Sequence, residues 1–246
     1  MDSASILIAT AGAYVLAGFV KGVIGLGLPT VAIGVLGLMM TPAEAATILL
    51  VPSLVTNVWQ GVTGGELLAL TRRLWPMLLG ICLGTGIGAW LLPGGGTAEA
   101  TVWLGAALAI YAAFGLFKVH FSVPPRSEIW AGLVVGIANG AISVATGIFA
   151  LGAPYIQALA MKRDRMVQAL GLSFTVSTVA LAAALAHGGV MKPAMIWPSL
   201  VALATALVGM VLGQLVRGRI REETFRLCFF IGLLLLGGHL ALRGFF

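Results

Sequence analysis

Apolar stretches long enough to cross a membrane follow one another along nearly the whole chain, and this constrains the fold more than any motif does. A bilayer core of about 30 Å takes about 20 mostly apolar residues per helix. Stretches of that kind lie near 4–20, 23–40, 44–61, 74–92 and 99–117, and again near 129–146, 148–160, 166–187, 194–214 and 223–242. A polar connector, Lys118 to Glu128, separates the two sets and contains His120, Pro124, Pro125 and Arg126. Only 9% of residues are charged and 60% are hydrophobic, whereas a soluble domain carries about 25% charged residues. Such a surface belongs in lipid, where the backbone must satisfy its own hydrogen bonds. The predicted class is therefore all-α, a polytopic membrane helix bundle. Met1-Asp2-Ser3 provides no basic n-region, so the first apolar run is expected to remain as a span rather than be cleaved as a leader.

Several function classes fall away on composition. The net charge of +6 is dispersed among loops, without the aromatic-interleaved basic patch of a nucleic-acid interface. Cys82 and Cys228 have no CxxC spacing, and His120, His187 and His239 have no metal-ligand spacing, so no metal and no cofactor is expected. Cys82 reads as a small core residue. No serine–histidine or histidine–glutamate pair offers hydrolytic chemistry, so the chain is not expected to be an enzyme. Glu44 and Glu66 sit at segment ends, leaving no carboxylate relay at membrane depth.

Lysine and arginine set the sidedness. If the glycine-interrupted pairs 4–20/23–40 and 129–146/148–160 each leave on the side they entered, eleven basic residues share one face. They are Arg72, Arg73, Lys118, Arg126, Lys162, Arg163, Arg165, Arg217, Arg219, Arg221 and Arg226, with only Lys192 and Arg243 opposite. Both termini are then expected on the non-cytoplasmic side. Whether each pair is a full double pass or a re-entrant hairpin stays open.

The halves also resemble each other. Gly18-x-x-x-Gly22-x-x-Gly25-x-Gly27 corresponds to Gly136-x-x-x-Gly140-x-x-Ser143-x-Ala145, 118 residues on. Ser53 matches Ser173, and Trp75-Pro76 matches Trp197-Pro198 at a spacing of 122. Both Trp-Pro pairs read as interface anchors that begin a helix. An odd number of passes per half makes the repeats inverted. The expected organisation is a first transmembrane repeat, 1–118, a polar inter-repeat loop, 119–128, and a second repeat, 129–246. Inverted halves with broken segments in matching places point to a transporter's binding site.

The duplicated run, Gly18-Phe-Val-Lys-Gly22-Val-Ile-Gly25-Leu-Gly27 with Gly136-Ile-Ala-Asn-Gly140 through Thr146-Gly147 and Pro154, resembles the TauE/SafE family of sulfite exporters, also called TSUP or DUF81. The resemblance covers essentially the whole chain. It implies a secondary transporter, an exporter, of small sulfur-containing anions such as sulfite, sulfonates or thiosulfate, working by alternating access. A different small anion such as a carboxylate is the alternative, followed by a non-transporting membrane scaffold. The implied setting is the bacterial cytoplasmic (inner) membrane, with the anion and the lipid bilayer as partners. Proton coupling and a homo-oligomer remain open.

The substrate-binding set follows from the breaks and the polar residues between them. Gly22, Gly25 and Gly27 are expected to interrupt the first pair with Pro29, exposing backbone N–H groups that bind anions. Gly140, Ser143 and Thr146 mirror them; close helix packing by small residues is the competing reading. Lys21 is either a counter-charge at membrane depth or a surface residue obeying the positive-inside rule, and its aligned neighbour is the neutral Asn139. Ser53, Asn57 and Gln60 share a helical face, with Thr56 beside them, and Ser173, Ser177 and Thr178 occupy the matching segment. These hydroxyls and amides either coordinate an oxyanion or bond between helices.

Overall fold

The computed structural model describes residues 3–92, 98–117, 122–191, 193–217, 219 and 222–242. Among these residues the chain forms ten α-helices and no strand. In the first half they are α1 (Ser3–Ile24), α2 (Leu28–Leu36), α3 (Pro42–Val62), α4 (Leu67–Leu91) and α5 (Ala98–Leu116). In the second they are α6 (Glu128–Thr146), α7 (Gly152–Ala158), α8 (Arg163–His187), α9 (Ile196–Arg217) and α10 (Glu222–Leu242). Seven of them, α1, α3, α4, α6, α8, α9 and α10, are long and apolar enough to span a membrane, and α5 holds a shorter apolar run. The chain is a multi-pass integral membrane protein. Lys118, His120, Lys192, Arg221 and Arg243 lie outside the described residues, as do the side chains of Arg163 and Arg217.

Each apolar stretch of the sequence becomes one helix, but two boundaries differ from expectation. α4 starts at Leu67, so Trp75-Pro76 lies inside it rather than at its start. The first turns of α4 carry Thr71, Arg72 and Arg73, whose polarity starts the apolar stretch of the sequence later than the helix itself begins. Trp75 and Trp197 are 51% and 67% exposed. The stretch 148–160 yields only the seven residues of α7.

α3 shows why its boundary is sharp. Thr41 Oγ1 accepts from Glu44 N at 3.3 Å, Glu44 Oε2 accepts from Thr41 N at 3.1 Å, and Pro42 fills the first helical position. α2, by contrast, is held by its surroundings, since eight of its nine residues are buried. Short helices of this kind persist at membrane depth only inside protein.

Glycine seams join α1 to α9 and α4 to α6. A Cβ on Gly18 would lie 2.1 Å from Ala206 O, and one on Gly136 would lie 2.3 Å from Met77 O. The seams are equivalent: residues of α6 follow those of α1 by 118, and the partners in α9 follow those in α4 by 129. That second spacing is seven residues longer than the Trp-Pro match indicates. The register is set by which carbonyls meet the glycines, and the Trp-Pro pairs do not follow it. α3 packs antiparallel on α8, and α5 packs antiparallel on α10, where Gly105 meets Ala241 and Gly115 meets Phe230.

Candidate functional site

α1 runs unbroken through Gly22 and stops at Ile24. Gly25 and Gly27 have φ values of 84° and 105°, a left-handed geometry that favours glycine, and they turn the chain into α2. Pro29 lies in the first turn of α2, and no side chain caps that end. The break in the second half has a different chemistry. α6 ends at Thr146 on Gly147, φ 72°, and α7 opens at Gly152. There Asn139 Oδ1 accepts from Leu151 N at 3.1 Å and Gly152 N at 3.2 Å, so its carbonyl holds the amides that open α7.

Lys21, aligned with Asn139, turns instead towards α3. It is 6% exposed. Its Nζ donates to Thr56 Oγ1 at 2.9 Å and to Asn57 Oδ1 at 2.5 Å. Asn57 Nδ2 donates to Ser53 Oγ at 2.9 Å, and Ser53 Oγ lies 3.1 Å from Thr178 Oγ1 on α8. The Thr178 proton goes to Phe174 O at 2.7 Å, so Ser53 is the donor between the two hydroxyls. A one-way chain of hydrogen bonds thus runs from α1 through α3 into α8. Among the described residues no carboxylate pairs with Lys21.

Other polar side-chain atoms are buried without a hydrogen-bond partner among the described residues: Asn139 Nδ2, Ser173 Oγ, Ser177 Oγ and Thr85 Oγ1, and on α1 Thr10 Oγ1 and Tyr14 Oη. Leaving such a group unmade costs about 1–3 kcal/mol, so it marks a place for a ligand or water. Phe174 touches both the chain from Lys21 and the neighbourhood of Asn139. Its carbonyl ends the chain from Lys21, and its ring packs on Phe149, with centroids 5.6 Å apart, and against Gly152 beside Asn139. Ser173 precedes it on α8.

Residues 10–240 match the family model described as "Sulfite exporter TauE/SafE". The chain belongs to the TauE/SafE family. No curated protein sequence and no solved structure matches it. Membership makes this bundle a membrane transporter, with the polar chain and the unpartnered donors as the part of a TauE/SafE chain that chemistry singles out.

The remaining expected site residues are placed as follows. Gly22 and Gly140 sit in the glycine seams, against Met210 O and Ile81 O. Ser143 Oγ donates to Gly140 O at 2.7 Å and Thr146 Oγ1 to Ile142 O at 2.8 Å, which turns both protons onto their own helix. Gln60 Nε2 donates to Val167 O at 2.9 Å and Gly25 O at 3.3 Å, clamping the first break to α8. Just beyond it, Gln168 Nε2 donates to Gly61 O at 2.8 Å, and Arg165 pairs with Glu66 at 3.1 Å. Arg73 makes a bidentate pair with Glu128, at 2.9 and 2.6 Å, joining α4 to α6 at the same charged end.

Thr85 and Gln168 were not singled out from sequence. Thr85 had a signal, being the one hydroxyl between Trp75 and Leu92. Gln168 had only its place among apolar neighbours. Cys82, expected as a small core residue, is instead exposed, as are Cys228, His187 and His239, and no group of metal-holding residues forms among the described residues. A cavity of about 930 Å³ opens between α4, α5, α6 and α7, bordered by Trp103, Ile110, Phe114, Val135, Thr146 and Tyr155. Its walls are apolar and suit acyl chains better than an anion.

Proposed function

We propose that this TauE/SafE protein carries a small sulfur-containing anion, of the sulfite, sulfonate or thiosulfate kind, out of the bacterial cytoplasm. It does so by alternating access between two inverted halves, 1–118 and 129–246. The observation that carries this reading is Lys21: a basic side chain buried in an apolar bundle, with neutral acceptors and no carboxylate partner among the described residues. A charge at membrane depth costs about 2.5–3.5 kcal/mol or more and is kept where function needs it. An anion is the complement that Lys21 lacks.

In this reading Lys21 supplies the counter-charge and Asn57 positions it. Asn139 Nδ2, Ser173 and Ser177 donate to the oxygens, and the amides that open α2 after Gly25 and Gly27 add a helix-terminal contribution. Gln60 holds the first break shut on the charged side. Gly22, Gly140, Ser143 and Thr146 shape the helix ends that frame the site. The matched registers of the two glycine seams support inverted halves, because a two-fold operation that exchanges α1 with α6 also exchanges α9 with α4. By the basic residues of its loops, the charged end faces the cytoplasm and both termini lie outside.

Flux from proteoliposomes tests this. Vesicles are loaded in turn with sulfite, thiosulfate, methanesulfonate, acetate or chloride. Saturable efflux of a sulfur anion, lost in a folded Lys21→Met variant, is the expected result. Saturable efflux of acetate alone would replace the sulfur anion with a carboxylate. No efflux of any anion from folded protein would overturn the proposal.

A further inference from the structure

The apolar cavity of about 930 Å³ has no part in the anion reading, yet its length, its walls and its two ends each narrow what it can hold. It follows α6 from Ala131 to Thr146, a rise of about 22 Å and so most of a hydrocarbon core about 30 Å thick. The glycine seam joins α4 to α6, and α5 is joined to α10, so the cavity is a slot between two packed pairs of helices. On α5 its lining residues Trp103, Ile110 and Phe114 are exposed, and along that side the slot opens to the bilayer.

Among the described residues no charged side chain lines the slot. Two of its polar groups are already bonded, Thr146 Oγ1 to Ile142 O at 2.8 Å and Tyr155 Oη to Glu128 O at 2.9 Å. Apolar cavities stay dry, so the occupant is a long apolar molecule drawn from the bilayer. The ends of the slot differ. At one, Leu91 and Leu92 present only hydrocarbon. At the other, Ser122 and Val123 form the lip. There Pro124 to Ser127 make a fixed turn, in which Ser127 N and Oγ both donate to Pro124 O, at 2.9 and 3.0 Å. The turn carries Arg126, exposed and in no ion pair among the described residues, and leads into an α6 N-terminus that no side chain caps. The carboxylate at that end, Glu128, is already paired with Arg73. A cation, a hydroxyl and a helix N-terminus at one end of an apolar slot complement a phosphate that carries hydrocarbon chains.

We propose that one bilayer phospholipid seats in this slot, with its acyl chains along α6 and its phosphate at Ser122 and Arg126. The proposal is independent of which anion the protein carries. The seated chains also reach the second break. Ala150, Leu151 and Pro154 line the slot, and Leu151 N is one of the two amides that Asn139 Oδ1 holds. The lipid thus packs against the segment whose opening Asn139 fixes, and its binding stabilises the folded bundle.

The purified full chain in detergent, stripped of co-purified lipid, tests this by native mass spectrometry and thermal unfolding. The probes are phosphatidylglycerol, diacylglycerol with the same chains but no phosphate, and oleate. Expected are one phosphatidylglycerol per chain, held about tenfold or more tighter than diacylglycerol, and later unfolding once it is bound. Arg126→Gln, a change at an exposed side chain, is expected to bring phosphatidylglycerol down to the affinity of diacylglycerol. Ala106→Phe and Ala145→Phe each put a ring into the slot and are expected to abolish the retained lipid, while unfolding in lipid-free detergent no earlier than the parent. Undiminished retention in both filled variants would overturn the slot as the site. Equal affinity for diacylglycerol, or no effect of Arg126→Gln, would overturn the phosphate end. Oleate held as tightly as phosphatidylglycerol would replace the phospholipid with a fatty acid. A dimer in place of the lipid adduct, broken by the filled variants, would give the slot to a second copy of the chain and overturn the proposal. Each of these failures would leave the anion-transport reading standing, because no anion is used.

Discussion

Replacing Asn57 with aspartate tests whether Lys21 is the charge that an anion must find. Asn57 Oδ1 is 2.5 Å from Lys21 Nζ, so Asn57→Asp puts a carboxylate oxygen in the same place with almost no change of shape. At an effective dielectric of about 20, a unit pair at that distance is worth about 7 kcal/mol, part of which is consumed by desolvating the new carboxylate. If about half survives, an incoming anion competes with an internal partner some 3 kcal/mol better placed, which weakens binding by more than about 100-fold. Folding should be little affected, because the aspartate keeps the contact to Lys21 and loses only the donor to Ser53 Oγ. The assay is anion binding by calorimetry alongside thermal unfolding in detergent. Binding within a few-fold of the parent, by a protein that unfolds at the parent's temperature, would refute Lys21 as counter-charge.

Other outcomes follow from the same geometry. Ser177→Ala and Ser173→Ala each delete a buried hydroxyl with no protein partner, so unfolding should be unchanged or slightly later, while anion Kd rises about 5- to 30-fold in line with about 1–2 kcal/mol per lost donor. Gly84→Ala would place a Cβ 2.0 Å from Ile137 O, and forcing the α4–α6 seam apart should cost about 1–3 kcal/mol in an unfolding assay. Gly86→Ala, with nothing within 4 Å, should be neutral or stabilising, and equal losses from the two would refute the seam. A double-mutant cycle on Arg73→Gln and Glu128→Gln should show about 1 kcal/mol or more of coupling, because the pair is bidentate and its carboxylate is only 15% exposed. A phosphatase fused after Phe246 should be active outside the cytoplasm, and a fluorescent reporter there that folds only in the cytoplasm should stay dark.

The helical class, the succession of apolar segments, the places of the two breaks and the family were legible in the chain because each depends on local composition or on a short motif. Glycines that must turn with positive φ are visible as glycines, so the interruptions at Gly25–Gly27 and at Gly147 could be located before any contact was known. What those interruptions do chemically could not. Lys21 and Asn139 align perfectly, yet one reaches 35 and 36 residues along the chain to Thr56 and Asn57 while the other caps the helix that follows it. The length of the lysine carries it across to α3, and the amide is short enough to reach only the next turn. Gln60 read as a ligand from its helical face, but its amide clamps two backbone carbonyls that the fold brings from 35 and 107 residues away. The register of the fourth helix in each half likewise needed the packed bundle, since the seams follow which backbone carbonyls approach the glycines and not the Trp-Pro pairs. Hydropathy and spacing are properties of a segment and survive unfolding. A buried lysine held by two neutral acceptors exists only where helices distant in the sequence converge, and tertiary structure alone decides that.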